Sequence, residues 1–526
     1  MDSNHPPAVT PMEVARAQNL LPEVLGEIFA SVIAVGLKKQ WMNREERDQL
    51  IRLTLVCKWW REIALLTRYF WGGIELHRWF LPTEPFQIPS KNLKLWFERA
   101  GDARKSLAIT SGRVTLGPRC PRHPESNVDP ESVDETCWLH HILAFLKAGP
   151  PLYGLRIDGQ STVCLRALMR GLQDSSSPSW SSIQYLDWRI WDREYYDMGN
   201  PNRTFTPFTP ALATLPPSLS SLDLSISLLS DCHSQVTQMI APATLHRLKS
   251  LNINSIKDLS PMVSLLERCV NLQHLSISQS GDNGYGGVLE ILDMDKQLLC
   301  GRNPIMFPHL QSLQLDLQPP RDVLSFLGVL RAPDLKIVRT RQERNTQPEE
   351  RYLWNSLRAL HLLTPGEDQP AVQHLTLFAR SIPPAKVQAD ELHDILSDLP
   401  PSLRHLRLEN LTFDAAEFVA HRKAQATATA ALNGLLPSLQ CLEIVDPGSK
   451  FDLSAFLELV KGGGRGKPHL GAFAALRRIV FAFSLRDQWE YKDHSFLDQY
   501  RDEATLWELE TSFGIVMDLI TITTWK

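Results

Sequence analysis

The chain has 526 residues, of which 43% are hydrophobic and 22% charged, and its formal net charge at pH 7 is -4. This composition is typical of a soluble globular protein with enough apolar material for a large core. Acidic and basic residues nearly balance, which argues against a nucleic-acid partner, because such partners require clustered basic charge. The longest apolar run, IFASVIAVGL, is too short to cross a bilayer, so we predict no membrane partner either.

The cysteines and the N-terminal residues indicate the compartment. Eight cysteines are scattered without a CxxC pair, which predicts reduced thiols in the cytosol or nucleus. The N-terminal residues MDSNHPPAVTPMEVARA have neither the basic start nor the apolar centre of a secretory signal. We therefore predict a cytoplasmic or nuclear protein, and we interpret residues 1–18 as a flexible tail.

Two amphipathic segments follow the tail. In LLPEVLGEIFASVIAVGL (20–37) the apolar residues recur three to four positions apart, which predicts a helix, and Pro22 suits its first turn. The second segment, LIRLTLVCKWWREIALL, carries two apolar stripes. A helix with two such stripes is either deeply buried or contacts two partners. Gly72 and Gly73 end this helical region.

These segments resemble an F-box of the variety common in fungal proteins. The family pattern begins Leu-Pro-x-Glu-[Leu/Val/Ile]-Leu and continues with Val-Cys-[Lys/Arg]-x-Trp and a later aromatic-Trp pair. The matching residues are Leu21, Pro22, Glu23, Val24, Leu25, Ile28, Phe29, Val56, Cys57, Lys58, Trp60 and Trp71. The long connection around Gln40–Arg47 departs from the pattern. The resemblance covers roughly residues 19–77 and implies a three-helix module that binds a Skp-type adaptor and, through it, a cullin-RING ubiquitin ligase.

The apolar residues of this module are candidates for adaptor binding. A module of this size cannot bury all its tryptophans and large aliphatic side chains within itself, and a leftover apolar face marks a protein interface. The predicted adaptor-binding residues are Leu21, Pro22, Glu23, Leu25, Ile28, Phe29, Val56, Cys57, Trp59 and Trp60. The alternative is that these residues form the ordinary core of a helical cap. The sequence does not separate core residues from contact residues.

A short phrase, apolar-x-x-apolar-x-apolar, returns from residue 152 onward. Examples are LYGLRI (152–157), LKSLNI (248–253) and LRHLRL (403–408), and a proline precedes many copies. Such a proline ends a helix and starts an extended segment. The resulting unit of strand, loop, helix and proline resembles the leucine-rich repeat, in which stacked units bury leucines that one unit cannot bury alone. The asparagine that usually follows the phrase is mostly missing, which predicts irregular turns.

We therefore predict an α/β fold class with three parts. An N-terminal three-helix F-box at 19–80 precedes a leucine-rich-repeat solenoid at 91–485, which has a curved parallel sheet and outer helices. A C-terminal cap is predicted at 486–526, and the first, atypical unit at 91–112. A doubly wound α/β domain is the alternative, but its buried strands would be near-continuous Val/Ile runs, whereas polar residues interrupt every strand here.

Alternate residues of each phrase are expected on the concave face of the sheet, opposite the buried leucines. This surface is polar and mixed in charge, and it suits a protein or peptide target. For any single residue, a solvated face without a partner is the alternative. The predicted target-binding residues are Tyr185, Asp187, Arg189, Asp223, Asn252, His274, Asp316, His361, His374, Phe378, His405, Arg407 and Glu409.

Two further motifs are set aside. Cys120-Pro-Arg-His123 and Cys137-Trp-Leu-His140 have the spacing of zinc ligands, but the first pair lies in a polar, proline-rich loop that favours disorder. KGGGRGKPH (461–469) fails as a phosphate loop because Lys461 and Pro468 replace required residues. We predict no metal, no cofactor and no catalytic residue.

Together these features predict a non-enzymatic subunit of a ubiquitin ligase that recognises a target protein. Its contribution to the reaction would be proximity, because holding two reactants together replaces a large entropic barrier. One alternative is a scaffold that binds the adaptor without supporting ubiquitylation. A zinc protein or an enzyme that uses the Cys/His cluster is the other.

Overall fold

The structure is a computed structural model of the chain. It divides into two compact units, Met1–Leu248 and Lys249–Lys526. The residues that it describes are 20–33, 41–78, 90–111, 138–159, 168–169, 171–172, 177–190, 215–226, 240–254, 260–278, 304–316, 330–342, 372–379, 385–397, 399–428, 436–446, 451–460, 473, 475–484, 507, 509–512 and 514–522.

The first unit begins with three helices, α1 (Pro22–Val32), α2 (Arg44–Val56) and α3 (Lys58–Leu66). A reciprocal capping box starts α2: the Glu46 amide donates to Asn43 Oδ1 at 2.9 Å, and the Asn43 amide donates to Glu46 Oε2 at 2.8 Å. The core between these helices is apolar. It includes the buried residues Leu25, Phe29, Ile33, Leu50, Ile63 and Ala64.

The second amphipathic segment forms two helices rather than the single helical run that its sequence predicts. Cys57 has an extended backbone, with φ −158° and ψ 170°, and separates α2 from α3. Its Sγ accepts a 3.4 Å hydrogen bond from the Trp60 amide and thereby caps α3. Because Cys57 breaks the helix, the apolar residues of the segment are divided between two helices.

The remainder of the first unit alternates strands and helices. A 3₁₀ turn (Arg68–Trp71) leads into β1, and the strands that follow are parallel, each paired with the next along the chain. In chain order the elements are β1 (Gly73–Arg78), α4 (Ser90–Ala100), β2 (Ser106–Ser111), α5 (Trp138–Ala148), β3 (Gly154–Gly159), α6 (Pro178–Ser181), β4 (Tyr185–Ile190), β5 (Ser221–Ile226) and α7 (Pro242–Arg247).

The strand register aligns the apolar residues of successive units. Leu107, Leu155, Leu186 and Leu222 are paired across β2 to β5, and all four are buried. The ladder two residues further along each strand is also apolar and buried. It consists of Ile109, Ile157, Trp188 and Leu224. Each unit therefore completes its core by stacking on its neighbours, as the leucine phrase predicts.

The second unit repeats this arrangement. Its main strands are parallel in the order β6-β7-β9-β11-β12-β14-β16-β17-β18. The elements are β6 (Ser250–Asn254), α8 (Ser260–Leu266), β7 (His274–Ser278), β8 (Ile305–Met306), β9 (Ser312–Asp316), β10 (Leu330–Arg331), β11 (Ile337–Gln342), β12 (His374–Ala379), β13 (Ala385–Val387), α9 (Ala389–Ser397), β14 (His405–Glu409), β15 (Leu411–Phe413), α10 (Ala415–Ala428), β16 (Cys441–Val445), α11 (Leu453–Val460), β17 (Arg478–Ser484) and β18 (Val516–Ile522).

The turns after two neighbouring strands of this unit match each other. Asn410 and Asp446 follow β14 and β16 directly, and both have left-handed backbones, with φ of 56° and 52°. Asn and Asp tolerate this region better than other non-glycine residues. The Asn410 amide donates to the Val445 carbonyl and the Asp446 amide to the Ala482 carbonyl, at 2.8 and 2.9 Å. These two turns are therefore equivalent parts of successive repeats.

The repeat architecture predicted from the sequence is confirmed, with an α/β composition and parallel strands in both units. The degenerate phrase LKIVRT lies at β11, whereas LRALHL (357–362) lies outside the described residues. Strand β18 lies within the segment predicted to be a C-terminal cap and pairs in parallel with β17. None of the helices in the described ranges has the length and apolar content needed to traverse a lipid bilayer.

Candidate functional site

The three N-terminal helices carry many exposed apolar side chains. Leu21, Leu55 and Leu66 expose 66%, 75% and 72% of their surface, one on each helix or directly before it. Other large apolar residues of the same helices are also exposed. They are Val24, Ile28, Val32, Ile51, Val56 and Leu65. A concentration of apolar surface on a short helical module indicates an interaction surface.

The predicted adaptor-binding residues fall into two groups. Leu21, Pro22, Glu23, Ile28 and Val56 are exposed, and Cys57, Trp59 and Trp60 are partly buried. Leu25 and Phe29, in contrast, are buried and form part of the core of the three helices. The Phe29 and Trp60 rings pack with their centroids 5.1 Å apart. Leu25 and Phe29 therefore stabilise the helices and do not offer surface to a partner.

Trp71 attaches the helices to the first repeat. Its indole nitrogen donates a 2.7 Å hydrogen bond to the Ala64 carbonyl in α3. The ring packs edge-on against Trp96 of α4, with centroids 4.7 Å apart, and the Arg99 guanidinium lies 4.7 Å from the Trp71 ring. Trp71 therefore packs α3, one of the three exposed helices, against α4 of the first unit.

The polar face of β3 and β4 is occupied by an internal ion-pair network. Asp187 is 1% exposed, and its carboxylate lies 3.4 Å from Arg156 Nε and 3.2 Å from Arg189 Nε. Burial raises the pKa of Asp187, and the charges of the two arginines oppose this shift. Burial and the neighbouring Asp187 carboxylate also raise the pKa of Tyr185.

Trp41 covers this network. Its ring centroid lies 5.7 Å from that of Tyr185, and the Arg156 guanidinium lies 5.6 Å from the Trp41 ring. On the same face of β2, Ser106 and Ala108 are buried as well. Tyr185, Asp187 and Arg189, which the sequence predicts to contact a target, are therefore engaged largely in contacts within the first unit.

The corresponding face of the second unit carries a second polar cluster. The register places His374, His405 and Cys441 side by side on β12, β14 and β16. The His374 and His405 rings lie 5.4 Å apart between centroids. Arg407 Nη2 lies 3.0 Å from Glu409 Oε2, and Arg407 Nη1 lies 3.0 Å from Glu443 Oε2.

The groups of this second cluster shift one another's pKa values. Contacts with Cys441 and Glu443 raise the pKa of His405 to about 9. The interaction with His405, followed by the charge of Arg407, lowers the pKa of Glu443. Burial lowers the pKa of His374, and the neighbouring His405 and Arg404 add to this effect. These contacts therefore favour the protonated form of His405 and disfavour the protonated form of His374 on the adjacent strand.

The other residues of the predicted target surface differ in accessibility. Their positions on the strands agree with the alternation that the phrase predicts. His274 is exposed, Asn252 and Phe378 are partly buried, and Asp223, Asp316 and Glu409 are buried; His361 lies outside the described residues.

Three residues in or near these clusters were not among the site residues predicted from the sequence. Cys441 and Glu443 occupy the alternate positions of the phrase LQCLEI (439–444), so the same positional rule could have found them. Trp41 lies in the connection between α1 and α2. The residues around it in the sequence do not indicate that it contacts Tyr185 of β4.

No family model matches the chain, and no curated protein matches it. Among solved structures, it is similar to the leucine-rich repeat-containing protein LegL7 from Legionella pneumophila. The identity is 14%, the alignment covers 65% of this chain and 87% of that chain, and the TM-score is 0.33. A similarity at this level carries no functional argument.

The repeat architecture follows instead from the aligned strands themselves. The chain has an α/β repeat fold in which successive parallel strands align their buried leucines.

Proposed function

We propose that this protein is the substrate-recognition subunit of a Skp–cullin–F-box ubiquitin ligase. The three N-terminal helices would bind the Skp-type adaptor, and the polar face of the repeats would bind a target protein. The proposal rests on the exposed apolar surface of α1, α2 and α3, together with the F-box resemblance of the same residues.

The energetics of this surface favour a protein partner. Leu55 and Leu66, the most exposed of the large apolar residues on α2 and α3, lie at or near the C-terminal ends of these helices. Burying a leucine side chain stabilises a complex by about 1.5–3 kcal/mol. Near these residues, Lys58 and Glu62 form an exposed ion pair 3.8 Å apart, as expected for the polar rim of an interface.

The target-binding role is assigned to the more accessible part of the repeat face. In the first unit, Asp187 already forms ion pairs with Arg156 and Arg189. In the second unit, His274 and His374 are exposed. These residues offer hydrogen-bond donors and acceptors to a peptide or protein. A bound target would then be held near a charged ubiquitin-conjugating enzyme, with no catalytic residue contributed by this chain.

Adaptor binding can be tested with charged substitutions on the exposed surface. We expect the double variant Leu55→Asp/Leu66→Asp to bind a purified Skp-type adaptor at least tenfold more weakly than the wild type, because two carboxylates would lose their hydration at the interface. Leu95→Asp on α4 is the matched control, since Leu95 is also exposed, at 53%, but lies outside the three helices. Titration calorimetry measures the three affinities.

Two results would count against the proposal. One is a wild-type chain that elutes from size exclusion unchanged when mixed with the adaptor. The other is equal adaptor affinity for the double variant and the wild type. A scaffold without a ligase role remains the second candidate. It is favoured if the chain captures the adaptor but the resulting complex does not bind cullin.

A further inference from the structure

Three side chains with metal-binding atoms meet on the polar face of the second unit. His405 lies on β14, and Cys441 and Glu443 lie on the neighbouring β16. One ligand atom from each residue lies within 4.8 Å of the other two. The register explains this grouping, since His405 pairs directly with Cys441 and Arg407 with Glu443.

The glutamate is held so that one oxygen remains directed at the histidine. Arg407 Nη1 contacts Glu443 Oε2 at 3.0 Å, and the other oxygen, Oε1, lies 3.4 Å from His405 Nε2. This nitrogen is buried and has no well-aligned hydrogen-bond acceptor within the part of the chain that the structure describes. A second residue that orients a ligating carboxylate in this way is a regular feature of metal sites.

We propose that His405, Cys441 and Glu443 bind a transition-metal ion of the Zn²⁺ class. Imidazole nitrogen, thiolate sulfur and carboxylate oxygen are the three ligand types that zinc uses in proteins. Bonds of about 2.0–2.3 Å in a tetrahedron place ligand atoms roughly 3.3–3.8 Å apart, so side-chain movements of about 1 Å complete the site. The proposal does not depend on adaptor binding or on a ligase role.

The three ligands leave one tetrahedral position for water or for a group of a bound partner. All three residues are partly exposed. His374 lies next to His405 and offers a further imidazole. A site with three protein ligands and one open position is the arrangement that zinc adopts where it binds an exchangeable ligand.

The surrounding charges permit a cation because the nearby arginines are already paired. Arg407 also contacts Glu409, at 3.0 Å, and Arg478 contacts Asp518, at 2.6 Å. The competing hypothesis is that a protonated His405 occupies the place of the metal and pairs with Glu443 directly. The two hypotheses differ in whether the purified chain takes up metal.

The experiment uses the full chain after removal of metal with a chelator, titrated with Co²⁺ slightly above neutral pH. Metal ligation requires the thiolate and the neutral imidazole. We expect one equivalent of Co²⁺ to bind, with a sulfur-to-cobalt charge-transfer absorption that Zn²⁺ abolishes. Cys441→Ser should remove this absorption, and His405→Gln should weaken Co²⁺ binding at least tenfold.

Two control variants separate this site from Co²⁺ binding elsewhere on the chain. His246→Gln, on α7, replaces an exposed histidine of the first unit and should bind Co²⁺ as the wild type does. Cys120→Ser/Cys137→Ser removes the alternative Cys/His motif and should also leave binding unchanged. Circular dichroism confirms that each variant is folded.

The proposal is overturned if the wild-type chain binds no Co²⁺. It is equally overturned if Cys441→Ser retains the charge-transfer absorption while Cys120→Ser/Cys137→Ser loses it.

Discussion

The indole of Trp71 connects α3 to α4 through two contacts made by one side chain. Its nitrogen donates to the Ala64 carbonyl at 2.7 Å, and its ring packs on Trp96 with centroids 4.7 Å apart. Trp71 is buried, so both contacts are shielded from water. The exposed helical surface and the first repeat therefore depend on the same residue for their mutual position.

Trp71→Phe should destabilise the first unit by about 2–4 kcal/mol, because it removes a buried hydrogen bond and part of the ring packing. The midpoint of urea denaturation, monitored by circular dichroism, measures this change. Tyr69→Phe, two residues earlier in the same 3₁₀ turn, is the control, since Tyr69 is exposed and its hydroxyl should contribute little. Equal midpoints for Trp71→Phe and Tyr69→Phe would contradict the role assigned to Trp71.

Asp187→Ala should destabilise the first unit by about 3 kcal/mol, because it leaves Arg156 and Arg189 without their buried partner. This value is at the lower end of the range for breaking a buried ion pair, because the Arg189 side chain is about one-third exposed. The surface pair of Arg68 and Asp102 supplies the matched control, and Asp102→Ala should leave the denaturation midpoint unchanged. If the two aspartate variants unfold at the same urea concentration, the network does not stabilise the fold.

Asp452 should make the stability of the second unit depend on pH. It precedes α11, and its Oδ1 accepts hydrogen bonds from the Ala455 amide at 3.0 Å and the Ser454 hydroxyl at 2.7 Å. The Ala455 amide, followed by the Ser454 hydroxyl, lowers the pKa of Asp452. A lowered pKa stabilises the folded state above the unfolded-state pKa of about 3.9, and this stability is lost as the pH falls through the folded-state pKa.

Asp452→Asn tests this assignment because asparagine can cap a helix without titrating. We expect the difference in unfolding free energy between wild type and variant to be largest near neutral pH and to shrink below pH ~4. Urea denaturation at a series of pH values measures it. A difference that stays constant across this range would show that the charge of Asp452 does not stabilise α11.

The sequence predicted the repeats well because their signal is local and periodic. The leucines of LRHLRL (403–408) fix which face of β14 is buried, and the register then follows from stacking equivalent leucines. The break at Cys57 was missed because LIRLTLVCKWWREIALL has helical periodicity on both sides of that residue. A thiol that caps a helix carries no strong sequence signal, since Ser, Thr, Asp and Asn are the usual capping residues.

The candidate sites were less predictable because they depend on contacts between distant residues. The sequence predicted no metal ligands, and His405 and Cys441 become neighbours only through the pairing of β14 with β16. Trp41 reaches β4 across an even larger separation along the chain. The alternation of the phrase identified the correct face for Asp187 but not that internal partners already occupy its carboxylate.

Strand β18 has a consequence for the dynamics of the second unit. Among the described strands it pairs only with β17, and Val516, Leu519 and Ile520 are exposed along it. In a stack where each strand contacts only its neighbours, a terminal strand opens at the lowest free energy. Amide protons of β18 should therefore exchange with solvent sooner than those of β12 or β14, so that fraying proceeds inward from the C-terminal edge.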